Sequence, residues 1–171
     1  KIIITSRDPA PPSFNYLKSS GGIFRDMTIH DFDMVRFYLG NDEINEIYAT
    51  ASNISNKRFN DIKDYELATC VIRSKKGVIC TINNSRHFKY GYDQRIEIFG
   101  NKGCLISKNK KKYNFFIDRY KTAYKLQLQD LVNLAYKNKK PRASFVDGEK
   151  ALLLANAAYK SLLTKKVIKI R

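Results

Sequence analysis

Only two histidines and three cysteines occur in the 171 residues, and they do not cluster. A structural zinc site needs closely spaced Cys and His ligands, so a metal-held fold is not expected. Cys70, Cys80 and Cys104 are odd in number, far apart, and each sits in an apolar, strand-like segment. They read as buried thiols of a reducing cytoplasm, not as a disulfide framework. No apolar run has the length of a membrane span, and no signal-peptide pattern is visible. The phosphate-binding and nucleophile signatures Gly-x-x-x-x-Gly-Lys-Ser/Thr, Gly-x-Gly-x-x-Gly and Gly-x-Ser-x-Gly are missing as well. This chain therefore carries no recognisable dinucleotide cradle of its own. An initiating methionine is also lacking: Lys1 runs directly into "KIIITS", so a preceding part of the gene product is expected.

Acidic residues are scarce beside basic ones, 16 against 32, which sets the net charge at +16. Such a charge could mark a nucleic-acid binder. The lysines, however, spread along the whole chain, with small groups at 108–112, 137–140 and 164–166 that fall at expected turns or helix ends. A solvated surface is favoured over nucleic-acid binding. The hydrophobic share of 43%, with eleven Tyr and ten Phe, supports a real core in one domain spanning residues 1–171.

The pattern of elements points to α+β. Residues 1–6 read as a strand ending in the proline-rich turn "RDPAPPS", where regular structure is forbidden. Helical spacing follows over 24–39, with Gly40 as a stop signal. Residues 44–53, 65–74, 77–86, 94–100, 103–107 and 113–117 read as strands, the third and second of these joined by "KKG" as a hairpin. Helices are expected over 120–138 and 147–163, and "VIKI" closes the chain as a short strand. Consecutive antiparallel strands with helices gathered at the ends exclude a doubly wound fold.

Candidate chemistry is concentrated in "GGIFRDMTIHDFDMVRF" (21–37). Asp26 and His30 stand four apart, so they share a helix face, and histidine moves protons near neutrality. From spacing alone, a hydrogen-bonded structural histidine is the better reading. Asp31 and Asp33 read as helix-surface or capping groups. In "YGYD" (90–93), Tyr90, Tyr92 and Asp93 could hydrogen-bond a polyol, although packing at a sheet edge is the commoner role. Asp8 reads as a turn residue, and His87 as a surface histidine.

Together, "SRDPAPP", "GGIFRDMTIHDFDMVRF", "NNSRHFKYGYDQRIEIFGNKG", "FFIDRYKTAY" and "DGEKALLLANAAYKSL" resemble the C-terminal domain of the glucose–fructose oxidoreductase/inositol dehydrogenase family, over nearly the full chain. The likeness is closest to the inositol 2-dehydrogenases. It implies a large, mostly antiparallel sheet with helices packed on one face, often the surface through which copies of such chains form homo-oligomers. It also implies that an NAD-binding Rossmann domain lies outside this chain, with the catalytic lysine of a Glu-Lys-Pro string. Lys140-Pro141 lacks the glutamate and lies between two late helices. The implied activity is NAD-dependent oxidation of myo-inositol to the 2-keto form in the cytoplasm, with the isolated chain inactive. His30 would be the acid/base, Asp26 the carboxylate beside it, and Tyr92 and Asp8 the substrate contacts. Ser6 stands where some relatives have histidine, residues 107–114 look short, and Gln127 replaces a common glutamate. Alternatives are a dehydrogenase of scyllo-inositol or another sugar, or a stand-alone oligomerisation or basic interaction module.

Overall fold

β-Branched side chains fit a pleated, half-buried surface, and "IIITSR" forms strand β1 (Ile2–Arg7), burying Ile2, Ile4 and Ser6 on one side. A computed structural model describes residues 1–137 and 140–170; part of the lysine group at 137–140 thus lies outside the described residues. The prolines end β1, and Ser13 caps a one-turn helix, α1 (Phe14–Leu17). Two glycines at positive φ, Gly21 and Gly22, then turn the chain into a π-helical turn (Phe24–Thr28) that runs on as α2 (Ile29–Leu39). Gly40, also at positive φ, ends it.

Strands β2 (Ile44–Ser52), β3 (Leu67–Ser74) and β4 (Ile79–Ser85) follow as an antiparallel series, with a 3₁₀ turn (Lys57–Ile62) between the first two. Next come β5 (Asp93–Gly100) and β6 (Gly103–Ser107), then α3 (Phe116–Lys137), α4 (Phe145–Thr164) and β7 (Ile168–Lys169). They make one seven-stranded sheet in the order β6-β5-β1-β4-β3-β2-β7. Every pairing is antiparallel except β1 with β4. The α+β reading therefore stands, with one parallel pair that local pattern did not announce.

That pair positions the site. The loop 86–92 must cross the end of β1 to bring β5 to its other side. Ser6 consequently lies in register with Asn84 on one neighbour and Gln94 on the other. The π-helical turn, α2 and α4 cover one face. Phe32 and Val35 of α2, and Leu154, Ala155 and Ala158 of α4, pack on Ile4, Ile47, Cys70, Ile72 and Ile82. The alanines let α4 approach the sheet closely. Ser161 accepts a hydrogen bond from the backbone N–H of Ala49 (3.0 Å) and donates one to the carbonyl of Lys166 (2.7 Å), satisfying strand groups beyond the end of β7.

Three local expectations fail. Residues 113–117 are not a strand: Tyr113 makes a single bridge to Tyr92, and Phe116 and Ile117 already belong to α3. Asp118 in the first turn favours the helix end over an extended run. Cys104 is exposed, because β6 is an edge strand that no helix covers, whereas Cys70 and Cys80 are buried. Asp31 is not a surface group, being 2% exposed.

Candidate active site

The inward rows of three neighbouring strands turn polar at the same end of the sheet. After Ile2 and Ile4 comes Ser6; after Cys80 and Ile82 comes Asn84; before Ile96 stands Gln94. The carboxylate of Asp31, from the first turn of α2, is buried over this row. Ser6 Oγ donates to its Oδ1 (2.7 Å), Asn84 Nδ2 to its Oδ2 (2.7 Å), and Gln94 Nε2 to Oδ1 (3.4 Å). Burial raises its pKa, and the three hydrogen bonds oppose that shift. One buried acid thus pins α2 to β1, β4 and β5.

The neighbouring residue on α2 is His30. Its imidazole is exposed and, among the described residues, has no hydrogen-bond partner. Its charge is felt by Asp31 and by Asp8, the first residue beyond β1. Asp8 is half-buried, its backbone N–H donating to the carbonyl of Ser85 (2.9 Å). Burial pushes its carboxyl up to about 6; Arg86 and His30 oppose the shift, and Asp26 and Asp31 add to it. A carboxyl of that pKa is a hydrogen-bond donor for part of the time near neutrality and an acceptor for the rest.

Asp26 lies in the π-helical turn. Its Oδ1 accepts from the hydroxyl of Tyr16 (2.5 Å) and its Oδ2 from Arg86 Nη1 (2.7 Å). No direct hydrogen bond joins it to His30 among the described residues; the two are neighbours around Asp8, whose charge environment includes both. The bond to Asp26, and then burial, raise the Tyr16 phenol above its ordinary pKa. Tyr92 stands across the cluster, its hydroxyl donating to Gln94 Oε1 (3.3 Å) and its ring against Tyr120 and Phe116. Burial raises its phenol far above the ordinary value, with Tyr120, Asp8 and Asp31 adding. It can therefore serve as a neutral donor and acceptor.

The four residues expected from the sequence thus gather at one end of the sheet. Tyr16, Asp31, Asn84, Arg86 and Gln94 belong to the same cluster and were missed. A signal existed: in three strands with alternating apolar residues, the inward position nearest one end is polar. Tyr90 is exposed, and Asp93 is taken up by Arg7 and Arg95, so neither belongs to the cluster. His87 is exposed as expected. Asp33 pairs with Arg36 at the surface of α2 (2.9 Å).

These residues do not fit a dinucleotide. The turn after β1 holds three prolines and no glycine-rich loop whose backbone could approach a pyrophosphate. The arrangement can instead hold a small polyhydroxylated molecule and exchange a proton with it.

Comparison with known proteins finds relatives over nearly the whole chain. The chain is 40% identical to myo-inositol 2-dehydrogenase of Thermotoga maritima over 98% of its own length and 54% of that protein's. It thus spans about half the length of the curated relatives it matches. The crystal structure of a myo-inositol dehydrogenase from Corynebacterium glutamicum superposes with a TM-score of 0.94 at 38% identity, covering 99% of this chain and 56% of that one. A scyllo-inositol dehydrogenase from Lactobacillus casei, solved with NAD(H) and scyllo-inositol bound, shares the fold at 22% identity and a TM-score of 0.89, over 98% of this chain and 55% of that one. Residues 2–106 match the model of the GFO/IDH/MocA C-terminal domain. These matches, with the open and largely antiparallel sheet, place the chain in the GFO/IDH/MocA family of oxidoreductases.

Proposed function

We propose that this chain is the substrate-binding half of an NAD-dependent inositol 2-dehydrogenase that oxidises myo-inositol to the 2-keto inositol. The observation that carries the reading is the exposed imidazole of His30 beside the carboxyl groups of Asp8 and Asp31. His30 takes the hydroxyl proton of the carbon being oxidised. Asp26, held by Arg86 and Tyr16, accepts a hydrogen bond from a neighbouring hydroxyl and stabilises the imidazolium. Asp8 and the Tyr92 hydroxyl line the same end of the sheet and contact the remaining hydroxyls. NAD, held by a Rossmann domain outside these residues, supplies the hydride acceptor, so the 171-residue chain alone is inactive. The names of the relatives at 38–40% identity support the inositol assignment.

The sheet face away from the helices supports homo-oligomer formation. Tyr48, Val71, Ile79, Phe99 and Ile106 are exposed there, a run of apolar surface that a second copy would cover. No helix among the described residues is long and apolar enough to cross a membrane. The test is NADH production by the full-length protein with myo-inositol. His30→Ala should lower kcat by roughly 10²–10⁴-fold, the usual worth of an acid/base group. Absence of polyol-dependent turnover, or an unaffected His30→Ala variant, would overturn the assignment. Faster turnover of scyllo-inositol would move it to a sibling activity.

A further inference from the structure

We propose that Arg86 and Asp64 are positioning residues for Asp26: a buried ionic chain that fixes the carboxylate of the active site from behind. The proposal rests on the reading of Asp26 as a working group of that site. Arg86 is 1% exposed and begins the loop that crosses β1. Its backbone N–H donates to the carbonyl of Glu66 (2.8 Å), and its guanidinium spans two acids. Nη1 donates to Asp26 Oδ2 (2.7 Å) and Nη2 to Asp64 Oδ2 (3.3 Å). Asp64 is itself buried, 3% exposed, and its other oxygen accepts from the backbone N–H groups of Ile23 (2.8 Å) and Tyr65 (2.7 Å).

Ile23 is the residue directly before the π-helical turn that carries Asp26. Asp64 therefore grips both the guanidinium and the backbone from which Asp26 is presented. The close approach depends on glycine. A Cβ at Gly22 would lie 3.3 Å from Asp64 Oδ1, on a residue whose φ of +84° is unfavourable for other side chains. With Tyr16 on Oδ1 and Arg86 on Oδ2, the Asp26 carboxylate is held at both oxygens and its rotamer is fixed. An arginine suits this place because its planar fork reaches two acids in set directions, which the point charge of a lysine does not. Arg86 and Asp64, 1% and 3% exposed, lie behind Asp26 and not at the open side of the site.

A double-mutant cycle in the full-length protein tests the proposal, with myo-inositol as substrate. Arg86→Gln should lower kcat by roughly 100-fold, the scale of an ångström-size misplacement of a reacting group. KM for NAD should stay within about twofold, and Arg86→Lys should not restore the rate. In the Asp26→Asn background the same Arg86→Gln change should cost less than about threefold, because the two residues act as one unit. Equal losses in both backgrounds, or a KM for NAD that moves with kcat, would overturn the proposal in favour of a merely structural arginine. Asp64→Asn, which leaves Arg86 in place, should give a smaller loss with the same dependence on Asp26, and stands in if Arg86→Gln does not fold. If the wild-type protein oxidises no polyol, the functional reading fails separately. The crystal structure of an Arg86→Gln or Asp64→Asn variant then decides the positioning claim. An Asp26 carboxylate turned away from Tyr16 supports it, and one still in place overturns it.

Discussion

Helices α3 and α4 are nearly equal in length, 22 and 20 residues, yet only α4 belongs to the core. α4 buries Ala151, Leu154, Ala155 and Ala158 against α2 and the sheet. α3 repeats apolar residues at similar intervals, but Leu126, Leu128 and Leu131 are each more than half exposed. Its first turns are tied to the sheet side of the chain, through Tyr120 against Tyr92 and Arg119 Nε donating to Asn109 Oδ1 (2.9 Å), and further along Asp130 pairs only with the exposed Arg142 (2.9 Å) among the described residues. Amphipathic spacing thus specifies a helix without specifying what it packs against. What separates the two is the size of the side chains facing the sheet: α4 brings small ones, which allow close approach.

Truncation of a buried leucine in α4 should have the largest effect on stability. Leu154, 2% exposed, belongs to the hydrophobic core where α4 meets α2 and β2. Leu154→Ala should destabilise the chain by about 2–5 kcal/mol, seen as a lower denaturant midpoint with unchanged slope. A cost under about 1 kcal/mol would mean that α4 is held mainly by something other than its core face.

A smaller effect is expected where α4 begins. Ser144 and Asp147 form a capping box, and Arg36 of α2 donates to the carboxylate of Asp147 (2.8 Å) and to its backbone carbonyl (3.0 Å). Arg36, followed by the Ser144 backbone and hydroxyl, holds the Asp147 carboxyl well below the usual carboxylate range. A carboxyl depressed in the folded state contributes stability above its unfolded pKa of about 4 and loses it as the pH falls through the folded value. Asp147→Asn should therefore lower the melting temperature at pH 7, and the gap to wild type should close progressively below about pH 4. A gap constant from pH 7 to pH 2 would show that the ion pair contributes nothing and that only the cap matters.

The sequence carried more of the fold than of the site. Alternation and turn chemistry marked most strands, because one face of each is buried and the other is not. Segment 113–117 departs from the expected strand because an aromatic run suits a strand edge and a helix start equally. Asp31 is buried against expectation, since its neighbours in sequence look like a solvated helix face. Its burial depends on Ser6, Asn84 and Gln94, which are brought into one row only by the parallel β1–β4 and antiparallel β1–β5 pairs together. His30 and Asp26 share a short segment and so could be singled out. Arg86 and Asp64 lie 60 and 38 positions beyond Asp26, and no local rule connects them.

The smallest expected effect lies on α3. Leu128 is 65% exposed, so its removal uncovers little new surface. Leu128→Ala should change the stability of this 171-residue chain by no more than about 0.5 kcal/mol, the range of ordinary surface substitutions, measured by the same denaturant unfolding as Leu154→Ala. Alanine also exceeds leucine slightly in helix propensity, which offsets part of any loss. If Leu128→Ala instead costs about as much as Leu154→Ala, α3 packs against the body of the chain in solution. The contrast between the two helices would then be wrong at its root.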